Sequence, residues 1–127
     1  MSTMTSDMAH EQSEAFCPYF HHAVELIGRR WTGAILRAML AGCIRFSEIA
    51  ATIPGLSDRL LSERLKELEA EGIVHRTVLP ETPVRIEYHL TEKGAALQPV
   101  LEAVSGWADS WLTHDPAATP GLASSRR

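Results

Sequence analysis

Ser57, Arg59, Ser62, Arg64 and Lys66 fall within one ten-residue stretch of the chain. Leu61, Leu65 and Leu68 run among them at helical spacing, so one stripe of this segment is apolar and another polar. A helix that buries the leucines turns Ser57, Arg59, Ser62, Glu63 and Lys66 outward. These side chains suit nucleic acid. An arginine fork bridges guanine O6 and N7, a serine makes a short base-edge contact, and a lysine meets phosphate. Arg59, near the start of the helix, is the expected base reader, with Ser62 as a shorter contact. Lys66 and Arg64 are expected on phosphate; the alternative for Arg64 is an ion pair with Glu67 at i+3. Arg45 and Ser47 flank the start of the preceding helix, where phosphates are readily held. Arg85 lies near the tip of an expected hairpin and suits phosphate or the minor groove. Its alternative is a cross-strand pair with an acid of the same hairpin.

A second kind of chemistry centres on Cys17, which precedes Pro18 and so stands at the start of a helix. A thiol there is a candidate nucleophile toward oxidants or electrophiles, with His21 and His22 about one turn away. The plainer alternative is a small apolar residue at an interface. Cys43 reads as part of a turn between helices. Cys17 and His21 have the i, i+4 spacing of a helical ligand pair, but His22 points about 100° away. With no third ligand nearby, no metal and no cofactor are expected. Tyr19, Phe20, Trp31, Trp107 and Trp111 are candidates to line an effector pocket between the first and last helices. Trp107 and Trp111 lie at i, i+4 on a face already apolar, so packing is the plainer role. The chain has no G-x-x-x-x-G-K, G-x-S-x-G or H-E-x-x-H, and no catalytic activity is expected.

The elements that must position these residues are legible in order. Phe20, Ala23, Val24 and Ile27 mark a first helix ended by Gly28. Trp31, Ala34, Ile35 and Ala38 mark a second, closed by Gly42. Phe46, Ile49, Ala50 and Ile53 give a short third helix stopped by Pro54-Gly55. Ser57 caps the fourth, and Gly72 ends it. The period then becomes two: Val84, Ile86, Tyr88 and Leu90 alternate with Arg85, Glu87 and His89 as a half-exposed strand. Ile73 to Leu79 is the expected partner, joined through Pro80, Glu81, Thr82 and Pro83. Thr91 caps a last helical region whose apolar face runs from Leu97 to Trp111, kinked or divided near its start by Pro99. The expected fold is mainly α with a β-hairpin wing, that is, a winged helix-turn-helix.

The 127 residues suit one domain and carry a net charge of −4, which argues against a nucleic-acid binder. The layout qualifies that average. From Arg29 to Lys93 there are ten basic and nine acidic residues, a net of +1, whereas the remainder carries a net of −5. The middle alone could face phosphate. Residues 1–15 read as a flexible arm, 16–114 as the folded domain, and 115–127 as a disordered tail. No apolar run approaches the length of a membrane span and the start lacks a secretory pattern, so a cytoplasmic protein without membrane contact is expected.

Specific fragments then point to a family. Cys17-Pro18, Ile27-Gly-Arg-Arg-Trp31, Arg45-Phe46-Ser-Glu-Ile49, Pro54-Gly-Leu-Ser57, the run from Leu61 to Glu69, Gly72-Ile-Val, Arg85-Ile-Glu-Tyr88 and Thr91-Glu-Lys-Gly94 occur in the order and spacing of the HxlR-type regulators. Residues 17–112 resemble that family, relatives of the MarR regulators. The resemblance implies a symmetric homodimer, held by the first and last helices, on an inverted-repeat double-stranded DNA operator. It also implies that the cysteine at position 17 can sense oxidants or electrophiles by disulfide or adduct formation. Two other readings stand beside that one: control by a small aromatic or apolar ligand at the dimer interface, and a protein-interaction module that keeps the fold without using it on DNA.

Overall fold

Six helices and one hairpin make up the computed structural model, which describes residues 15–112. The expected arm and tail lie outside the described residues, apart from Ala15. In chain order the elements are α1 (Pro18–Ile27), α2 (Thr32–Leu40), α3 (Phe46–Thr52), α4 (Asp58–Ala70), β1 (Val74–Leu79), β2 (Arg85–Leu90), α5 (Glu92–Ala95) and α6 (Gln98–Trp111). Among the described residues, no helix is long and apolar enough to cross a membrane.

Local chemistry explains most boundaries. Pro18 occupies the first turn of α1, where its missing N–H costs nothing. The Ser57 Oγ accepts the Leu60 N–H at 3.1 Å and starts α4. Gly72 ends α4 with φ +77°, a conformation that a β-carbon disfavours. Thr91 Oγ1 accepts the Gly94 N–H at 3.1 Å and caps α5. The last helical region is divided: α5 stops at Ala95, and α6 begins at Gln98 with Pro99 in its first turn.

The core is assembled by α2, α3 and α4 with the root of the hairpin. Ile35, Leu36, Ile49, Leu61, Leu65, Leu68 and Ile73 are almost wholly buried. Each such side chain contributes roughly 1.5–3 kcal/mol relative to exposure. β1 and β2 pair antiparallel, with Val74 opposite Leu90, Arg76 opposite Tyr88 and Val78 opposite Ile86. Ile73 and Val84, expected at the strand ends, lie just outside them, and Val84 is exposed. The expected in-and-out alternation of β2 is blurred, since Arg85, Ile86, Glu87 and Tyr88 are all half-buried. The turn between α2 and α3 packs along this strand, and the Tyr88 N–H donates to the Ile44 carbonyl at 2.6 Å. That contact covers an edge that would otherwise be open. At the base, Gly94 lies so close to Ile73 that a β-carbon would collide with the Ile73 carbonyl oxygen.

Only Leu101 of α6 is buried. Val100, Val104, Trp107 and Trp111 stand exposed along it, as do Tyr19, Phe20 and Val24 on α1.

Candidate nucleic-acid interface

The turn from α3 to α4 is short and fixed from beneath. Ile53 and Leu56 are buried within it, and Gly55 adopts φ +86° with the Trp31 ring 3.5 Å from where a β-carbon would stand. The turn therefore sets α4 at one angle to α3. With Leu61, Leu65 and Leu68 inward, Ser57, Arg59, Glu63 and Lys66 are exposed on α4 and Ser62 is half-exposed. The Arg59 side chain is 89% exposed, and its Nε lies 3.3 Å from Glu63 Oε2. An ion pair this open is weak and exchanges readily for another anion.

Arg64 requires a correction. Its side chain is only 10% exposed; Nε donates to the Arg30 carbonyl at 2.9 Å, and one terminal nitrogen meets Glu67 Oε2 at 3.2 Å. The guanidinium is committed inside the protein, in the pair with Glu67 that was the alternative to a phosphate contact. The reason is periodic: Arg64 lies three residues after Leu61 and four before Leu68, on the buried stripe itself. Glu67 also meets Arg29 at 3.1 Å, and His22 Nε2 lies 2.7 Å from Glu71 Oε1. These contacts tie α1 and the segment after it to the second half of α4.

Arg45 and Ser47 are exposed at the start of α3, across a cleft of about 520 Å³ from Glu81, Pro83 and Arg85 of the hairpin tip. The start of α3 is held by Glu48, whose Oε1 accepts the Ile44 N–H at 3.0 Å and the Arg45 N–H at 3.1 Å. Those two donors hold its carboxyl below the ordinary value of 4.5, with the Arg45 and Arg85 charges adding to the effect. Arg85 is less free than expected. Its side chain is 32% exposed, and its Nε lies 3.6 Å from Glu81 and 3.8 Å from Glu87. Neither acid stands across the ladder; one is in the tip and the other is two residues along the same strand.

Arg76 was not singled out from the sequence, yet it stands exposed on β1 beside Ser62 and Lys66 of α4. The available signal was its place two residues after Val74, on the face of the hairpin that turns toward α4.

Cys17 is half-buried at the N-cap of α1, and both cysteines are free thiols. The two histidines near it have other partners. His21 packs against Phe16 with ring centroids 5.3 Å apart and lies 3.6 Å from Glu25, while His22 is held by Glu71. Cys43 Sγ lies 3.6 Å from Thr52 Oγ1. Among the described residues no cluster of His, Cys, Asp and Glu could hold a metal ion. The five effector candidates do not converge within one chain. Trp31 turns in beside Gly55 and packs on the core, with Arg30 stacked 5.2 Å from its ring. Tyr19, Phe20, Trp107 and Trp111 stand in solvent, and five surface clefts of about 320–520 Å³ among the described residues are lined by other side chains.

Comparison with known proteins agrees with this arrangement. The model of the HxlR-like helix-turn-helix family matches residues 26–116. The HTH-type transcriptional regulator YvaP of Bacillus subtilis (strain 168) is 57% identical over 106 residues, covering 84% of this chain and 95% of that protein. The reduced form of the regulator YodB from B. subtilis superposes with a TM-score of 0.71 at 49% identity, covering 79% of this chain and 98% of that one. YodB has also been solved after diamide treatment and with quinone bound. The redox regulator HypR in its reduced form matches with a TM-score of 0.68 at 37% identity, over 72% of this chain and 90% of that one.

Proposed function

The chain belongs to the HxlR-like helix-turn-helix family of transcriptional regulators, and from that premise we propose that it is a cytoplasmic homodimer that binds an inverted-repeat operator and is switched through Cys17. The observation that carries the DNA reading is the division of α4. Three leucines on one side are buried, and Ser57, Arg59, Ser62 and Lys66 occupy the other, directly after a tight turn. With α4 in the major groove, Arg59 reads a base and Ser62 supports it. Lys66, Arg45 and Ser47 hold phosphates, and Arg85 exchanges its two carboxylate neighbours for the backbone beside the wing. The dimer forms on the exposed apolar faces of α1 and α6, since a single chain leaves Phe20, Val24, Val104, Trp107 and Trp111 in water.

The switch reading rests on Cys17 opening α1 and on one relative, YodB, whose structures were solved after diamide treatment and with quinone bound. Diamide takes two electrons and two protons from two thiols and leaves a disulfide. A quinone instead adds one thiol across its conjugated double bond, forming a carbon–sulfur bond and becoming a hydroquinone. Either event loads α1, and the His22–Glu71 and Arg29–Glu67–Arg64 contacts pass the load to α4. The same aromatic faces would border a quinone at the dimer seam.

The test is a mobility-shift titration with DNA from beside the protein's own gene, with and without diamide and a benzoquinone. Retarded complex is expected from the reduced protein. Treatment is expected to change the midpoint, and Cys17→Ser is expected to abolish that change. Unaltered affinity in protein whose Cys17 is demonstrably modified would rule out the switch.

A further inference from the structure

We propose that the cleft between α4 and β1 is a phosphate seat in which Lys66 and Arg76 grip one backbone strand of the duplex. The inference deepens the DNA-binding reading and rests on it. A protein that reads a major groove with one element and the adjacent minor groove with another must have the intervening sugar–phosphate strand cross the gap between them. Here the two elements are α4 and the hairpin, and the gap is a cleft of about 330 Å³ lined by Ser62, Leu65, Lys66, Glu69, Arg76 and Tyr88.

The cleft has the chemistry of such a seat. Arg76 and Tyr88 are direct partners in the ladder, so their side chains share one face of the hairpin. That face begins in the core at Val74 and Leu90, which fixes the base from which Arg76 extends. Ser62, Lys66 and Glu69 follow at i, i+4 and i+7, so they form one stripe of α4 along the opposite wall. Lys66 and Arg76 are exposed, and among the described residues neither has an acid within ion-pair distance. Arg64, Arg29, Arg59 and Arg85 are all paired with carboxylates. Of the other described cations without a carboxylate partner, Arg30 stacks on Trp31, Lys93 donates to the Glu71 carbonyl, Arg37 stands on α2 and Arg45 lies across the other side of the hairpin, so Lys66 and Arg76 are the open pair that flanks this gap. Glu69 is the one acid lining the cleft, and it opposes the seat rather than closing it.

The experiment uses the full chain, titrated by fluorescence anisotropy against a labelled random-sequence duplex of ~30 base pairs between about 50 and 200 mM KCl. A random duplex isolates phosphate contacts from base reading. Arg76→Gln and Lys66→Ala are each expected to reduce the slope of log affinity against log salt by about 0.9 per chain, and the double variant by about 1.8. Arg76→Lys is expected to keep the wild-type slope, and Glu69→Gln to tighten binding at every salt concentration. Preference for DNA from beside the protein's own gene over random DNA is expected to stay constant in all four single variants. A wild-type slope that Arg76→Gln leaves untouched would overturn the seat while leaving the DNA reading intact. A wild-type chain that binds no duplex would overturn both. Matching thermal unfolding of Arg76→Gln and wild type guards the comparison, with Glu69→Gln as an independent readout on the opposite wall.

Discussion

Single side chains here divide between those that hold the fold and those left for a partner. Arg64 and Arg59 carry the same guanidinium five residues apart, yet one is locked on the Arg30 carbonyl and Glu67 and the other is open to solvent. The difference was legible in the spacing of Leu61, Leu65 and Leu68, because Arg64 falls on their stripe. Charge type drew attention to it and position decided its role. Arg76 is the converse case, since its surroundings come from α4 and Tyr88, and a reading along one strand could not supply them. Glu48 gives the residue-scale prediction. Its carboxylate accepts two backbone N–H groups, so its folded value is lowered and the stability it supplies is complete above about pH 4.5. That stability is lost as pH falls through the lowered value. Urea unfolding should find Glu48→Gln less stable than wild type at pH 7, with the two converging in acid. A gap that persists after the carboxylate is protonated would mean that the side chain acts by packing alone.

Elements were the most readable level. Periodicity, Ser57, Gly72, Thr91 and Pro99 place the helices and their ends, because capping and backbone restriction act within a few residues. The hairpin follows from its change to period two. What local sequence could not show is the covering of β2 by the α2–α3 turn through Ile44 and Tyr88, which is a contact between distant segments. The same limit hid the tie between α1 and α4. That tie supports an element-scale prediction: Glu67→Gln, which removes the carboxylate that Arg29 and Arg64 share, should leave Cys17 as reactive toward diamide as before. It should nonetheless reduce the effect of oxidation on DNA affinity by roughly half or more, within the range typical of coupling between sites. Mass spectrometry of Cys17 beside a titration of oxidised and reduced protein checks it. Full coupling in Glu67→Gln would place the route elsewhere.

The whole molecule looks wrong for its task until its charge is divided along the chain. The net of −4 comes from segments outside Arg29–Lys93, and the middle still offers open cations on α4, β1 and α3. A second unresolved demand at this scale is the exposed apolar surface of α1 and α6, which one chain does not cover. Placing aspartate at both Val104 and Trp107 should convert a dimer into a monomer in analytical ultracentrifugation while far-UV circular dichroism stays helical. Loss of simultaneous half-site binding should then weaken operator affinity by roughly 10²-fold. A helical double variant that remains dimeric would remove α6 from the interface. The central claim, that α4 reads DNA sequence, is tested most directly by the affinity ratio between DNA from beside the protein's own gene and a random duplex, measured for wild type and Arg59→Ala. A clear wild-type preference is expected, falling about 5- to 150-fold per half-site in the variant, the worth of one bidentate base contact. A preference that Arg59→Ala leaves unchanged, or a wild type with none, would contradict it.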